Sequence, residues 1–140
     1  MMRFLVMLCL SSAPAVGDPL VAASQARAAA GLPGLRGDAV LFQMAQIQAD
    51  HMAARRRIGH DGPGGSSLAD RARSVGHRPC WLAENVAGGQ RSLRRVMRDW
   101  LRSPGHRANI LNPRMRSAAV AHARGRNGRL YWAMVLAGPC

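Results

Sequence analysis

Three side chains with the chemistry of a functional site stand far apart in this chain of 140 residues: His60, Glu84 and His106. An imidazole changes charge near neutral pH and is a common metal ligand, so a histidine outside an apolar core is a candidate for either role. Glu84 is the only glutamate and lies in the apolar run CWLAENVAGG. A carboxylate there must be paired, hydrogen-bonded or metal-bound to offset its desolvation. Both a structural carboxylate and a functional one fit this position.

His106 stands in the segment WLRSPGHRANILNP, which predicts a helix end, a break and a second short helix. Ser103 and Pro104 are a helix-start signal, with a hydroxyl to cap free amides and a proline at the first helical position. Asn112–Pro113 predicts the end, because proline disfavours helix in the residue before it. His106 is therefore expected near a helix start, with its side chain available to a cleft. A Ser103–His106 hydrolase is a lesser alternative, since capping already accounts for the serine.

His60 lies in the glycine-rich stretch GHDGPGGSS, which predicts a turn-rich loop rather than a periodic element. A loop histidine is either an exposed residue without a function or part of a functional site, and the spacing alone does not distinguish the two. His51 differs, because it follows Met44 and Ile47 on the apolar face of a helix predicted from Asp38 to about Arg57. We expect His51 to be a hydrogen-bonded core residue.

The remaining pattern predicts helices on both sides of a small sheet. Helices are expected over 18–30, 38–57, 67–74 and 90–102, and strands over 117–123 and 130–137. Asn127-Gly128 between the strands is a hairpin signal. The run LYWAMVL is apolar on both alternations, as in a strand that is covered on both faces. Together these features predict an α+β fold, a three-layer α-β-α sandwich with a small antiparallel sheet.

The basic charge consists entirely of arginine: twenty arginines against seven acids give a net charge of +13. Such a charge favours anionic partners, although a GC-rich genome gives the same composition. Aromatic residues are only 4% of the chain, too few for stacking platforms, so we do not expect a nucleic acid partner. In the predicted helix 90–102, one face is apolar and another carries the arginine stripe, namely Arg91, Arg95, Arg98 and Arg102.

The first residues have the pattern of a secretory signal. Arg3 precedes an apolar run, and Ala13-Pro14-Ala15 is a small-residue cleavage site, which predicts a signal peptide over 1–15 and a mature domain over 16–140. The apolar run is too short to span a bilayer, and the mature chain has no predicted transmembrane segment. Cleavage leaves Cys80 and Cys140, and an even pair in an exported protein favours a disulfide over two buried thiols.

The motifs GHDGPGG, AENVAGG and WLRSPGHRANILNP, followed by AAVA and LYWAMVLA, resemble the CAP superfamily. That superfamily contains cysteine-rich secretory proteins, antigen 5 and plant pathogenesis-related proteins, and the chain is similar to its small bacterial branch. The resemblance extends from about Ala22 to Ala137. It implies an α-β-α sandwich, as the residue pattern does.

The resemblance also implies a cleft with two histidines and two acids. His60, Glu84 and His106 match three of these positions, and Ser103 stands where the second acid is expected. Two neutral imidazoles and a carboxylate suit a divalent metal such as Zn²⁺. We therefore predict a secreted or periplasmic protein that binds a divalent metal, a small ligand or a lipid, with no catalytic activity assigned. One alternative is a hydrogen-bonded network that holds the loops to the sheet. Another is a basic module that adheres to anionic envelope lipid or polysaccharide.

Overall fold

The computed structural model describes residues 18–140, so the predicted signal peptide lies outside the described residues. The helices are α1 Val21–Ala29, α2 Ala39–Arg55, α3 Leu68–Ser74, α4 Leu93–Arg102 and α5 Pro104–Ile110, with a 3₁₀ turn over Pro63–Gly65. The strands are β1 Arg36–Gly37, β2 Trp81–Gly88, β3 Ser117–Arg124 and β4 Leu130–Gly138. Within this range no helix combines the length and the apolar character needed to cross a membrane.

The strands form one sheet in the order β1-β3-β4-β2. β4 pairs antiparallel with both β2 and β3, as the hairpin signal predicts for β3 and β4. The short β1 pairs parallel with β3 through two residues, so the sheet is antiparallel except at this edge. β2, which carries Glu84, was not predicted as a strand, and it occupies the opposite edge of the sheet.

Helices cover both faces of the sheet, and the predicted three-layer sandwich is confirmed. On one face, α2 and α3 pack against alternate residues of β4 such as Ala133 and Val135. On the other face, α1, α4 and α5 pack against Trp132, Met134 and Leu136. β4 is therefore buried from both sides, as its continuous apolar sequence predicts.

Helix α2 begins where predicted but buries a different face. The Asp38 carboxylate accepts hydrogen bonds from the backbone N–H groups of Val40 (2.8 Å) and Leu41 (2.9 Å), which caps the helix. The fully buried residues are Leu41, Met44, Ala45, Gln48, Ala49, Met52 and Ala53. His51 is only half-buried, so its prediction as a core histidine is wrong. The alanines at positions 45, 49 and 53 belong to the buried face, which places His51 at its edge.

Helix α4 has the predicted apolar face, with Val96, Met97 and Trp100 buried. The Ser92 side chain accepts a hydrogen bond from the Arg95 backbone N–H (3.2 Å) and starts the helix there. Arg91 consequently precedes the helix. It is not part of a continuous helical row with Arg95, although both side chains are exposed.

The two cysteines form a disulfide, as the even count predicts. Cys80 precedes β2 and Cys140 follows β4, next to the pair Trp81 and Gly138 that begins the ladder between these strands. Gly138 has no room for a side chain, since a Cβ would lie 1.9 Å from the Arg114 carbonyl oxygen. The disulfide thus joins the chain end to the strand that carries Glu84.

Candidate functional site

The Glu84 carboxylate is buried and fully engaged by two neighbours. Arg71 on α3 donates from Nη1 to Oε2 (2.5 Å) and from Nη2 to Oε1 (3.1 Å). The Nδ1 atom of His60 lies 3.0 Å from the same Oε1. The side chains of Arg71 and Glu84 are 2% and 3% exposed, so the ion pair is shielded from water. The desolvation of the lone glutamate is thus offset by a guanidinium and an imidazole.

The loop that carries His60 is fastened from both sides. The Gln48 side chain on α2 donates to the carbonyl oxygens of Gly59 (2.6 Å) and Asp61 (3.2 Å). Arg71 Nη2 donates to the carbonyl oxygen of His60 itself (2.8 Å). The His60 side chain nevertheless remains 62% exposed. The ring is therefore anchored at Nδ1 and open to solvent elsewhere.

His106 occupies the first turn of α5, as predicted from Pro104 at the first helical position. Its Nδ1 atom lies 2.9 Å from the Ser103 hydroxyl oxygen. The Ser103 hydroxyl makes no capping hydrogen bond, so the prediction that it caps the helix is wrong. The hydroxyl instead contacts the imidazole three residues later.

Adjacent residues of β2 connect the two histidine regions. Glu84 lies on the face toward α2 and α3, and Asn85 lies on the opposite face because side chains alternate along a strand. The Asn85 amide donates to the His106 carbonyl oxygen (3.1 Å) and accepts from Asn109 (2.8 Å). Asn85 is fully buried. It therefore fixes α5 to the edge strand at the position next to Glu84.

The two imidazoles are electrostatic neighbours. Partial burial lowers the pKa of His106, and the charge of nearby His60 lowers it further. His106 is thus neutral at a pH where an ordinary histidine begins to protonate. Within residues 18–140, however, no three His, Cys, Asp or Glu side chains are grouped closely enough to hold a metal ion. The geometry brings His60 to Glu84 and His106 to Ser103, as two neighbouring pairs.

Asp99, the acid nearest to Ser103 in sequence before it, belongs to neither pair. Its carboxylate accepts from the Gln90 amide (3.1 Å) and from the Arg98 guanidinium (3.2 Å). The hydrogen bond from Gln90 is the main cause that lowers the pKa of Asp99. Asp99 therefore does not replace the second acid of the family cleft.

Sequence reasoning missed Arg71, Asn85 and Asn109. Arg71 had a usable signal, because it falls with Leu68, Ala72 and Val75 on the inner face of α3. An arginine on such a face needs a buried anion, and the only glutamate was the obvious candidate. Asn85 and Asn109 stand inside recognised motifs, but nothing in their spacing indicates that the two side chains meet.

The comparisons with known proteins agree with this fold. The family model described as "CAP: Cysteine-rich secretory protein family" matches residues 22–136. The uncharacterized protein YkwD of Bacillus subtilis is 33% identical over 92 residues, and the match covers 66% of this chain. It covers only 36% of the relative's length.

Two solved bacterial structures have the same fold. An outer surface protein of Borrelia burgdorferi superimposes with a TM-score of 0.75 at 20% identity, over 84% of this chain and 87% of that protein. An extracellular protein of Bacillus anthracis that contains an SCP domain gives a TM-score of 0.74 at 22% identity, over 83% of this chain and 37% of that protein. With the family match across most of the chain, these findings identify the protein as a member of the CAP, or cysteine-rich secretory protein, family.

Proposed function

We propose that this protein is an exported CAP-domain protein that binds a divalent metal ion through His60 and His106. The observation that supports this best is the hydrogen bonding of the nitrogen atoms in the two imidazole rings. Each Nδ1 atom is engaged, in His60 by Glu84 and in His106 by Ser103. Among the described residues neither Nε2 atom has a hydrogen-bond partner, so each ring keeps one nitrogen available as a ligand.

Glu84 fits the role of an orienting group better than that of a ligand. Both of its oxygens accept hydrogen bonds from Arg71, and one also contacts His60. A carboxylate that holds the Nδ1–H of a histidine fixes the tautomer that leaves Nε2 as the metal-binding nitrogen. We therefore propose His60 and His106 as ligands and assign Glu84 and Ser103 to their orientation.

The donor set suits zinc or another divalent transition metal, since imidazole is a preferred ligand of these ions. Two protein ligands are fewer than the three of a catalytic zinc site. Water or a small ligand would complete the coordination, and binding would be weak and exchangeable. The lowered pKa of His106 supports binding near neutral pH, because only a neutral imidazole coordinates a metal.

A zinc titration of the chelator-treated, tag-free protein tests this proposal. His60→Ala and His106→Ala should each weaken Zn²⁺ affinity at least about tenfold, as expected for the loss of a ligand. His51→Ala and His122→Ala are matched controls that remove histidines outside the site. If all four variants bind zinc like the parent protein, the metal proposal fails. Retained binding in the His60 variant alone would contradict the proposed role of His60 as a ligand.

We also propose that the chain is secreted or periplasmic. The Bacillus anthracis protein is described as extracellular and the Borrelia burgdorferi protein as an outer surface protein, which supports export of this relative. The signal-peptide pattern over residues 1–15 and the disulfide give independent support. N-terminal sequencing of the exported protein should find Val16 first, and a mature protein that begins at Met1 would contradict the proposed cleavage.

A second candidate function is adhesion to anionic envelope lipid or polysaccharide. The observation in its favour is the exposure of Arg91, Arg95, Arg98 and Arg102 around α4, in a chain with a net charge of +13. Asp99 partly offsets this charge, since it pairs with Arg98. Such adhesion would depend on ionic strength, because exposed charges are screened by salt.

A further inference from the structure

A second cluster of arginines surrounds a cavity next to the disulfide. The cavity has a volume of about 760 Å³ and is lined by Arg36, Arg78 and Arg116, with apolar walls that include Pro79, Ala137 and Pro139. These arginines come from β1, from the loop between α3 and β2, and from the residue before β3. We call it the arginine cavity.

The positive charge of the arginine cavity exceeds the negative charge in its wall. Within residues 18–140, none of its three arginines forms an ion pair. The acidic side chain in the cavity wall is Asp38, whose Oδ1 accepts from the backbone N–H groups of Val40 and Leu41. Its single negative charge balances one of the three arginines. Three arginines from different elements therefore line one concave region with a single acidic side chain. Arg116 Nη1 donates to the carbonyl oxygens of Pro113 and Met115, so its other nitrogens remain for a ligand.

A fourth arginine strengthens this field from behind the wall. Arg27 is completely buried, and its guanidinium donates only to carbonyl oxygens, those of Pro33, Ile110, Asn112 and Met115. Burial lowers the pKa of Arg27, and the charge of Arg116 lowers it further. A buried cation without a carboxylate partner is costly, and a bound anion beside Arg116 would reduce that cost.

His77 adds an unsatisfied polar atom to the same wall. Its Nε2 is buried and lacks a hydrogen-bond partner among the described residues. Buried polar atoms in proteins are nearly always paired, and an exception calls for a partner such as a bound ligand.

We propose that the arginine cavity binds a phosphate monoester whose organic part lies against the proline and alanine walls. Guanidinium groups bind phosphate through paired hydrogen bonds. A tetrahedral dianion presents oxygens in several directions and can engage three arginines from different elements, whereas a planar carboxylate presents two oxygens in one plane. The size and the apolar walls leave room for more than the phosphate group. The phosphate comes either from a soluble ester or from a lipid headgroup.

The disulfide holds two walls of the arginine cavity together. The loop with His77 and Arg78 ends at Cys80, and Pro139 precedes Cys140, which itself lines the cavity. Loss of the bridge frees both segments. We therefore expect phosphate-ester affinity to fall when the disulfide is reduced, although neither sulfur needs to touch the ligand.

Calorimetric titration with phenyl phosphate tests the proposal, with benzoate as a planar carboxylate of similar size. The oxidised protein should bind phenyl phosphate at least tenfold more tightly than benzoate. The variant Arg36→Gln/Arg78→Gln/Arg116→Gln should lose at least tenfold in affinity for phenyl phosphate. The control variant Arg55→Gln/Arg57→Gln/Arg126→Gln removes the same charge from exposed positions outside the cavity and the arginine stripe, and should bind as the parent does. Vesicles that contain phosphatidic acid, compared with neutral vesicles, test the lipid source.

The outcomes separate the possibilities. Loss of binding in the cavity variant alone, with either phenyl phosphate or vesicles as the ligand, supports the site and identifies the source of the phosphate. Equal losses in both triple variants would mean that net charge, not the cavity, binds the anion, and would overturn the proposal. Absence of binding to phenyl phosphate and to the vesicles would overturn it as well. Thermal unfolding of both variants, compared with the parent, verifies that a loss of affinity does not reflect unfolding.

Discussion

Arg71 and Glu84 form a buried, two-pronged ion pair, with Nη1–Oε2 and Nη2–Oε1 distances of 2.5 and 3.1 Å. The pair joins α3 to the edge strand β2. The same guanidinium also binds the carbonyl oxygen of His60, so the loop that presents this histidine is held by the pair. Arg71, which lies outside the recognised motifs, therefore holds both His60 and Glu84, which lie inside them.

Removal of Arg71 should be strongly destabilising. Arg71→Leu leaves Glu84 buried without its guanidinium, and breaking a buried pair on one side costs roughly 3–5 kcal/mol. The matched control is Arg73→Leu, which breaks an exposed pair with Asp70 in the same helix and should cost less than about 1 kcal/mol. Urea unfolding measures both changes. Similar losses in the two variants would show that the burial of Arg71 has no energetic consequence.

The metal-free protein should lose stability in acid partly through His106. The pKa of His106 is lowered in the fold, so the unfolded chain binds more protons as the pH falls below the ordinary histidine value of about 6.5. The free energy of unfolding therefore decreases from that pH down to the folded pKa. His106→Gln should reduce this decrease, whereas exposed His122→Gln should not. Urea unfolding in chelator at a series of pH values measures the slopes, and identical slopes in the parent and His106→Gln would refute the assignment.

The disulfide should contribute substantially to stability. Cys80 and Cys140 are 60 residues apart, and in the chain-entropy model closing such a loop stabilises the fold by about 4 kcal/mol. The variant Cys80→Ser/Cys140→Ser should unfold at a correspondingly lower urea concentration. Reduction of the parent protein should lower its stability to that of the variant, while the variant itself should not respond to reductant. A parent protein with two free thiols would remove the basis of this prediction.

Adhesion to anionic vesicles should depend on the arginine stripe and on salt. Replacement of Arg91, Arg95, Arg98 and Arg102 by glutamine should weaken the adhesion severalfold and leave the unfolding curve unchanged, because these side chains are exposed. The matched control replaces four exposed arginines elsewhere, namely Arg55, Arg56, Arg57 and Arg126. Sedimentation with vesicles at low and high salt measures the effect. An equal decrease in both variants would attribute adhesion to net charge.

The sequence predicted the fold where local chemistry and tertiary packing agree. Asp38 starts α2 and Pro104 starts α5, because each supplies a helix-start signal that the structure uses directly. The uninterrupted apolar run of β4 predicted its burial on both faces. β2 was missed because Glu84 and Asn85 interrupt its apolar pattern, and both are compensated by side chains from distant elements.

The candidate site could be predicted only in part, because some of its contacts come from residues that are distant in sequence. The resemblance selected His60 and Glu84, and the structure places them in contact. The resemblance did not indicate Arg71, the residue that binds both of them. Ser103 is a residue type that often caps helices, but its hydroxyl contacts His106 instead. Residue type alone does not predict which of these two local partners a serine hydroxyl will bind.

Glu84 and Asn85 are consecutive in an edge strand, so their side chains lie on opposite faces of the sheet. Which of the two faces α3 and which faces α5 depends on the register between β2 and β4. A slip by one residue would present Asn85 to Arg71 and Glu84 to Asn109, and would break both connections at once. The contacts of Glu84 with Arg71 and of Asn85 with α5 therefore require that β2 is paired with β4 in this register. The ligand affinity of the site would therefore report whether β2 has adopted the native register on β4.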